Sequence, residues 1–317
     1  MIKIYKSNAS QNSLDEVKKI ENNTWINLVN PSKEEIAEVA NATKVDSEFL
    51  AYVLDEEEQS RIDEEDNTVL ILVDIPYIEK TYNMNSVSTI PLGILLVSNP
   101  NEEYIITICL KETEVMKDFL NNKVKTFYTN KKSRFVIQIL YKVAQSYLKH
   151  LRIIDKEIDK AERLLHKETK NSNLLQLLNV EKSLVYIQTS LKSNDLVLNY
   201  LLKGNTIPLY EEDKEILEDA IIENRQGIEM AQIYSAILGR LSSAFASIIS
   251  NNLNDVMRFL AGITIVISIP TMIASFMGMN VPFGDFGKYP YAFISILALA
   301  LVTSVAVAFI LKKKDIL

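Results

Sequence analysis

Two long stretches without a single Asp, Glu, Lys or Arg constrain this chain of 317 residues more than any other feature. They run from Phe259 to Met277 and from Tyr291 to Leu311. Each approaches the ~20 apolar residues that a helix needs to cross a bilayer core. A water-facing helix of this length carries charged residues on its polar face, and these two carry none, so both read as membrane spans with the lipid bilayer as partner. Everything before them reads as soluble. Lys312, Lys313 and Lys314 follow the second span directly, whereas the segment between the spans carries only Asp285 and Lys288. The positive-inside rule then predicts a multi-pass protein of the cell membrane with both termini in the cytoplasm. Met1 to Lys6 alternates like a strand and lacks the apolar centre of a secretion signal.

Composition excludes several function classes. A formal net charge of −7, with no basic stripe in the soluble part, argues against nucleic acid as a partner. The one cysteine, Cys109, permits no internal disulfide and fits a reducing compartment. His150 and His166 lie far apart and lack zinc-ligand spacing, so packing or surface roles are expected. No nucleophile–base pair, phosphate-binding glycine loop or catalytic metal cluster stands out. The expectation is a protein that is not an enzyme and carries no cofactor.

The soluble part changes character along its length. Residues 1–128 mix strands and helices in an α/β pattern. Thr24 to Val29, Val69 to Ile75, Thr89 to Ser98 and Tyr104 to Leu110 are rich in β-branched residues and predict strands of one sheet. Ser32 and Glu35 fit a capping box at a helix start, and Lys111 to Asn121 returns to helical spacing. Residues 129–208 read as a helical hairpin, from apolar residues recurring at three and four. A further helical pattern starts near Glu211 and meets no proline until Pro270, giving a stalk over 209–258 that runs into the first span, 259–280. Unbroken to Met277, it makes a rod of ~100 Å at 1.5 Å per residue. The row Leu217, Ile221, Ile228, Tyr234, Leu238, Leu241, Phe245 and Ile248 then needs cover, and self-association along that face is the expected solution. Residues 281–290 form the outer loop, 291–311 the second span and 312–317 a basic tail.

On the first span, Asn254, Met257, Ala261, Thr264, Ser268, Thr271 and Ser275 recur every three or four residues on one face. This stripe has two readings: close packing of helices, where small and hydroxylated residues are common, or a water-lined path built by several copies. It ends at Gly278-Met279-Asn280, where Gly278 and Asn280 serve equally well as a plain helix stop.

The tripeptide's setting resembles the CorA family of magnesium transporters, whose signature is Gly-Met-Asn after the first of two terminal spans. Phe276 to Pro282 matches well, Asn254 to Arg258 is similar to the segment leading into that family's pore, and Leu54 to Asp63 resembles its acidic-Arg signature. Two departures stand out: Asp285 is the only acid in the outer loop, where many relatives carry a glutamate, and Pro270 is displaced by about one residue from the family's spacing.

The resemblance implies a funnel-shaped homopentamer that passes divalent cations, Mg²⁺ foremost and Co²⁺ or Ni²⁺ besides, without ATP. It implies that the first span lines the pore and that Gly278, Met279 and Asn280 ring the outer mouth and hold the ion with its water shell. Thr264, Ser268, Thr271 and Ser275 would line the path, with Asn254, Met257, Leu260 and Ala261 toward the cytoplasmic end. Met257 and Leu260 would form the constriction. Mg²⁺ would also be a regulatory ligand held between subunits, with Asp219 as the stalk carboxylate, and Lys312 to Lys314 would form a basic collar. The acidic runs Asp55–Glu58, Asp63–Asp66 and Glu211–Asp219 are otherwise solvated faces. Two alternatives stand beside this: a zinc transporter of the same superfamily, whose members usually carry valine where Met279 stands, and a membrane-anchored divalent-cation sensor or scaffold that conducts nothing.

Overall fold

The computed structural model describes all residues except 9–12, 66, 82–83, 101, 166–170, 205, 281–289, 315 and 317, and only the backbone of 13, 80–81, 84–85, 164–165 and 171–174. The chain divides into two compact units, Met1–Leu241 and Ser242–Leu317.

The first unit is built on seven strands: β1 (Ile2–Asn8), β2 (Ser13–Val17), β3 (Thr24–Val29), β4 (Arg61–Glu65), β5 (Thr68–Thr81), β6 (Met84–Ser98) and β7 (Glu103–Cys109). They form one mixed sheet in the order β2-β1-β3-β7-β6-β5-β4. Only β3 and β7 run parallel, in register from Thr24↔Tyr104 to Val29↔Cys109. Strands β5 and β6 form the long antiparallel pair, from Thr68↔Val97 to Thr81↔Met84. The central strands are apolar on both faces, which is why they read as continuous runs rather than as alternation. One face carries Leu28, Leu72, Leu95 and Ile108 against helices α1 (Lys33–Thr43) and α2 (Ser47–Tyr52). The predicted capping box is present: the Glu35 N–H donates to Ser32 Oγ at 3.2 Å and the Ser32 N–H to Glu35 Oε2 at 2.9 Å.

The other face is covered by α3 (Glu114–Leu120), α4 (Lys132–Leu165) and α5 (Asn171–Leu202). Trp25 is fully buried there in a cluster with Phe127 and Phe135, and its indole N–H donates to Thr107 Oγ1 at 2.7 Å. The fold is therefore a sheet between two helical layers, followed by helix α6 (Glu211–Met277).

Helix α6 corrects one expectation. Leu217, Ile221, Leu238 and Leu241, read as a face needing other copies, are already buried within the single chain. The contacts are close: Asn224 Nδ2 donates to the Leu191 carbonyl at 2.9 Å, and a Cβ on Gly227 would lie 3.1 Å from Leu191 Cδ1. Phe245 is buried too. The large apolar side chains most open on this half are Ile222, Ile233 and Ile237, 63%, 57% and 40% exposed, while Ile228 and Tyr234 of the expected row are partly buried. Periodicity located a buried face correctly but could not say which partner buries it.

The second unit holds the rest of α6 and helix α7 (Ala292–Lys313). Both helices are long and apolar enough to cross a membrane. Pro270 lies inside α6 without ending it; the missing N–H leaves one carbonyl a turn below without its usual donor.

Candidate functional site

The polar stripe stands out by what it does not do. In the second unit, the partly shielded row on α6 is Gly262, Ile263, Val266, Ile269, Pro270 and Ile273. On α7 the shielded row is Ala292, Ile296, Ala300, Thr303, Ser304 and Val307. Thr264, Ser268, Thr271 and Ser275 lie on a different face of α6 and are exposed, as are Asn254, Met257, Leu260 and Ala261. The stripe is thus not used for packing within the chain. Thr264, Ile267, Ser268, Thr271, Met272 and Ser275 line one open groove of about 580 Å³.

Three of the four hydroxyls in that groove are oriented. Thr264 Oγ1 donates to the Leu260 carbonyl at 2.8 Å, Ser268 Oγ to the Thr264 carbonyl at 2.7 Å and Thr271 Oγ1 to the Ile267 carbonyl at 3.0 Å. Such bonds to the preceding turn satisfy the hydroxyl proton inside a helix. What remains outward is the oxygen lone pairs, so the lining presents acceptors. Water bound to a cation offers its hydrogens outward, and acceptors are what it needs.

Helix α6 ends at Met277, where the Gly278 N–H donates to the carbonyls of Ala274 and Ser275 at 3.0 and 3.2 Å and the Met279 N–H to Phe276 at 3.3 Å. Gly278 is not in the left-handed region, and a Cβ there would meet nothing closer than the Ala274 carbonyl oxygen at 3.5 Å. Among the described residues, neither backbone strain nor crowding requires the glycine. Asn280 and Met279 are exposed. Asp285, Lys288 and the rest of the outer loop through residue 289 lie outside the described residues.

Asp219 is exposed on α6, while two other carboxylates of that acidic run are engaged. Arg134, near the start of α4, donates to Asp213 Oδ1 at 2.7 Å and to Glu212 Oε2 at 2.5 Å. Asp213 is buried, and Arg134 holds the Glu212 carboxyl below its ordinary pKa. In the acidic-Arg segment, Arg61 bonds Glu58 and lies 2.6 Å from Asp63; Asp66 is not among the described residues. Within one chain, and among the described residues, no three His, Cys, Asp or Glu side chains converge on a metal position. His150 is buried, its Nδ1 lies 2.7 Å from the Ser146 carbonyl, and burial pushes its pKa down, so it packs. His166 lies outside the described residues. Lys312 and Lys313 close the last turn of α7 and Lys314 caps it, where cations complement the helix dipole.

Arg134 escaped the sequence reading because its partners are 78 and 79 residues away. A buried network around Asp74 and Asn194 escaped it for the same reason. In the sequence, Asn194 and Ser190 look like ordinary polar positions of an amphipathic helix.

A mixed sheet between helical layers, a helix of 67 residues and two bilayer-length apolar spans define a membrane protein with a large soluble α/β unit. A profile of the family described as "CorA-like Mg2+ transporter protein" matches residues 21–313, and the chain belongs to that family. It is 25% identical over 299 residues to "Cobalt/magnesium transport protein CorA" of Methanocaldococcus jannaschii, covering 91% of this chain and 90% of the relative. The complete structure of the CorA magnesium transporter from the same organism has the same fold, with a TM-score of 0.80 at 22% identity over 98% of this chain and 97% of that one. The cytoplasmic domain of ZntB from Vibrio parahaemolyticus is a more distant match, with a TM-score of 0.58 at 10% identity over 78% of this chain and 98% of that one.

Proposed function

We propose that this protein transports Mg²⁺, with Co²⁺ and Ni²⁺ as further cargo, through a pore formed by five copies of the chain. The observation that carries the reading is the exposed hydroxyl row on α6, with Thr264, Ser268 and Thr271 turned as acceptors, leading to Gly278-Met279-Asn280. In this arrangement each copy contributes its Thr264, Ser268, Thr271 and Ser275 to a shared axis, and five Asn280 side chains ring the outer mouth. Mg²⁺ loses its water reluctantly and usually keeps several molecules of it. Amide and hydroxyl oxygens accept hydrogen bonds from that water without displacing it. A carboxylate ring would hold the ion longer, and conduction needs easy exit as well as entry. Gly278, unconstrained by its own backbone, leaves space for what approaches from outside the chain, and Met279 packs to fix the loop.

Met257 and Leu260, both more than half exposed on this face, act as the apolar constriction that closes the path by excluding water. Asn254 and Ala261 flank them. Asp219 binds cytosolic Mg²⁺ between neighbouring copies and so reports its abundance. With both termini in the cytoplasm, Lys312 to Lys314 form a basic collar at the inner interface. The driving force is the membrane potential, about 4.6 kcal/mol per 100 mV for a divalent ion moving inward, with no ATP needed. The transported metal is substrate, and the reading includes neither resident cofactor nor enzyme chemistry. Met279 favours magnesium over the zinc alternative.

The test is Mg²⁺ uptake into liposomes carrying the purified protein, with Asn280→Ala as comparison. Loss of the outer amide ring should slow uptake roughly tenfold, on the order of one net hydrogen bond per permeating ion. Equal uptake by the two proteins would instead favour a sensor or scaffold that the spans merely anchor.

A further inference from the structure

Two exposed rows in the first unit complement each other. On α5, Lys182, Val185, Lys192, Leu196 and Tyr200 share the solvent face, and Lys203 follows just past the helix end. Leu196, 71% exposed, is the most open large apolar side chain described in this unit. On α6 the exposed row is Glu215, Asp219, Ile222, Glu229, Ile233 and Ile237. The first row carries lysines and no acid; the second carries acids and, before Arg240, no base. Among the described residues, neither Lys192 nor Glu229 forms an ion pair within the chain. Apolar side chains spaced along an exposed row and rimmed by charge mark a protein-binding surface, and opposite signs fit one row to the other.

The rows also keep step. Within the chain, α5 and α6 run antiparallel, with Leu191 against Asn224 and Gly227, and Asn199 bonded to Arg225. Helices rise equally per residue, so from the Leu191–Gly227 contact Leu196 is level with Ile222, Val185 with Ile233 and Lys203 with Glu215. Lys192 lies within one turn of the level of Glu229. A copy turned about an axis along these helices keeps every residue at its own level. The α5 row of one copy then meets the α6 row of the next as leucine on isoleucine, valine on isoleucine and lysine beside glutamate. Pairing either row with itself across a two-fold axis would set lysine against lysine or acid against acid, which repels. Contact between unlike surfaces is heterologous and closes into a ring. We propose that the α5 row is the docking surface for the α6 row of a neighbouring copy. The inference rests on the ring of copies proposed above and adds which surfaces of the chain meet in it.

The experiment is disulfide trapping in the full-length protein in detergent. The native Cys109 is buried and stays out of the reaction. Chains carrying Leu196→Cys are co-expressed with differently tagged chains carrying Ile222→Cys, so a bond between these two positions can only join two copies. A disulfide needs its Cα atoms within about 7 Å, and mild oxidation should link the two kinds of chain. Leu196→Cys with Ile237→Cys, about four helical turns off level, should give little or no link. A second measurement needs no cysteine. Lys192→Glu should make the assembly fall apart at several-fold higher protein concentration on dilution, read by native mass measurement, and adding Glu229→Lys should restore it. Intact wild-type assemblies with no 196–222 link, equal linking by the two cysteine pairs, or a charge reversal that the second reversal does not rescue would overturn this contact and leave the proposed pore standing. A wild-type protein that is a single chain at every concentration would overturn both.

Discussion

Arg134 sits near the start of α4 with its side chain only 11% exposed, and its partner Asp213 is 4% exposed. That near-complete shielding of both charges makes the contact asymmetric. Removing one partner of a buried pair leaves the other uncompensated, which costs far more than the intact pair contributes. Arg134→Gln should therefore destabilise the first unit by about 3 kcal/mol, the low end of the range because Glu212 keeps its access to water. Adding Asp213→Asn should recover a large part of the loss. Thermal denaturation of the two single variants and the double variant, read as a double-mutant cycle, checks this. Additive effects would mean that the two side chains do not interact. Gly278 is the opposite case, a residue whose identity neither backbone strain nor crowding explains among the described residues.

At the scale of elements, helix α6 carries both the most legible and the least legible information. Its limits, Glu211 and Met277, coincide with those expected from acidic residues at the start and Gly278 at the stop. Pro270, which could have ended it, did not, because a proline in an apolar span kinks without exposing backbone to water. Strands β3, β5, β6 and β7 were legible as β-branched runs. β2 and β4 were not, since Ser13–Val17 and Arg61–Glu65 are short, charged edge strands whose existence depends on a neighbour rather than on local pattern. Helix α2, six residues long, is set by its Asp46 cap and too short for periodicity to register. The hydroxyl stripe was legible as a face, but its orientation was not: only coordinates reveal that the protons point back into the helix. If those oxygens serve as acceptors for ion-bound water, Thr264→Val and Thr271→Val should each slow Mg²⁺ uptake by roughly fivefold, about 1 kcal/mol for one net hydrogen bond lost per permeating ion, at unchanged folding. Thr264→Ser, which keeps the oxygen, should transport like the wild type. Tracer flux measured beside a melting curve separates the two effects, and a valine variant that conducts normally would take the hydroxyls out of the path.

On the scale of the whole molecule, the question is what holds copies of this chain together, and how that depends on the ion it carries. Of the face that periodicity assigned to self-association, Leu217, Ile221, Leu238, Leu241 and Phe245 are already buried within one chain, and Ile222, Ile233 and Ile237 are among the exposed apolar residues open to a neighbour. In the proposed assembly of five copies, each with a formal net charge of −7, acidic surfaces repel each other unless cations sit between them. Asp219 is suited to that position, being exposed on α6 and not drawn into the Arg134 pair. A cation bound only in the closed assembly stabilises it by about 2.7 kcal/mol at a hundredfold excess over its dissociation constant. Protection of the full-length protein from a protease should therefore rise along a Mg²⁺ titration, and Asp219→Ala should shift that rise to several-fold higher Mg²⁺ while leaving the ion-free digestion rate unchanged. Ca²⁺, larger and more easily dehydrated, should shift the same curve differently if the site holds the ion through its water. A titration that is superimposable for Asp219→Ala and wild type would remove this carboxylate from the sensing site.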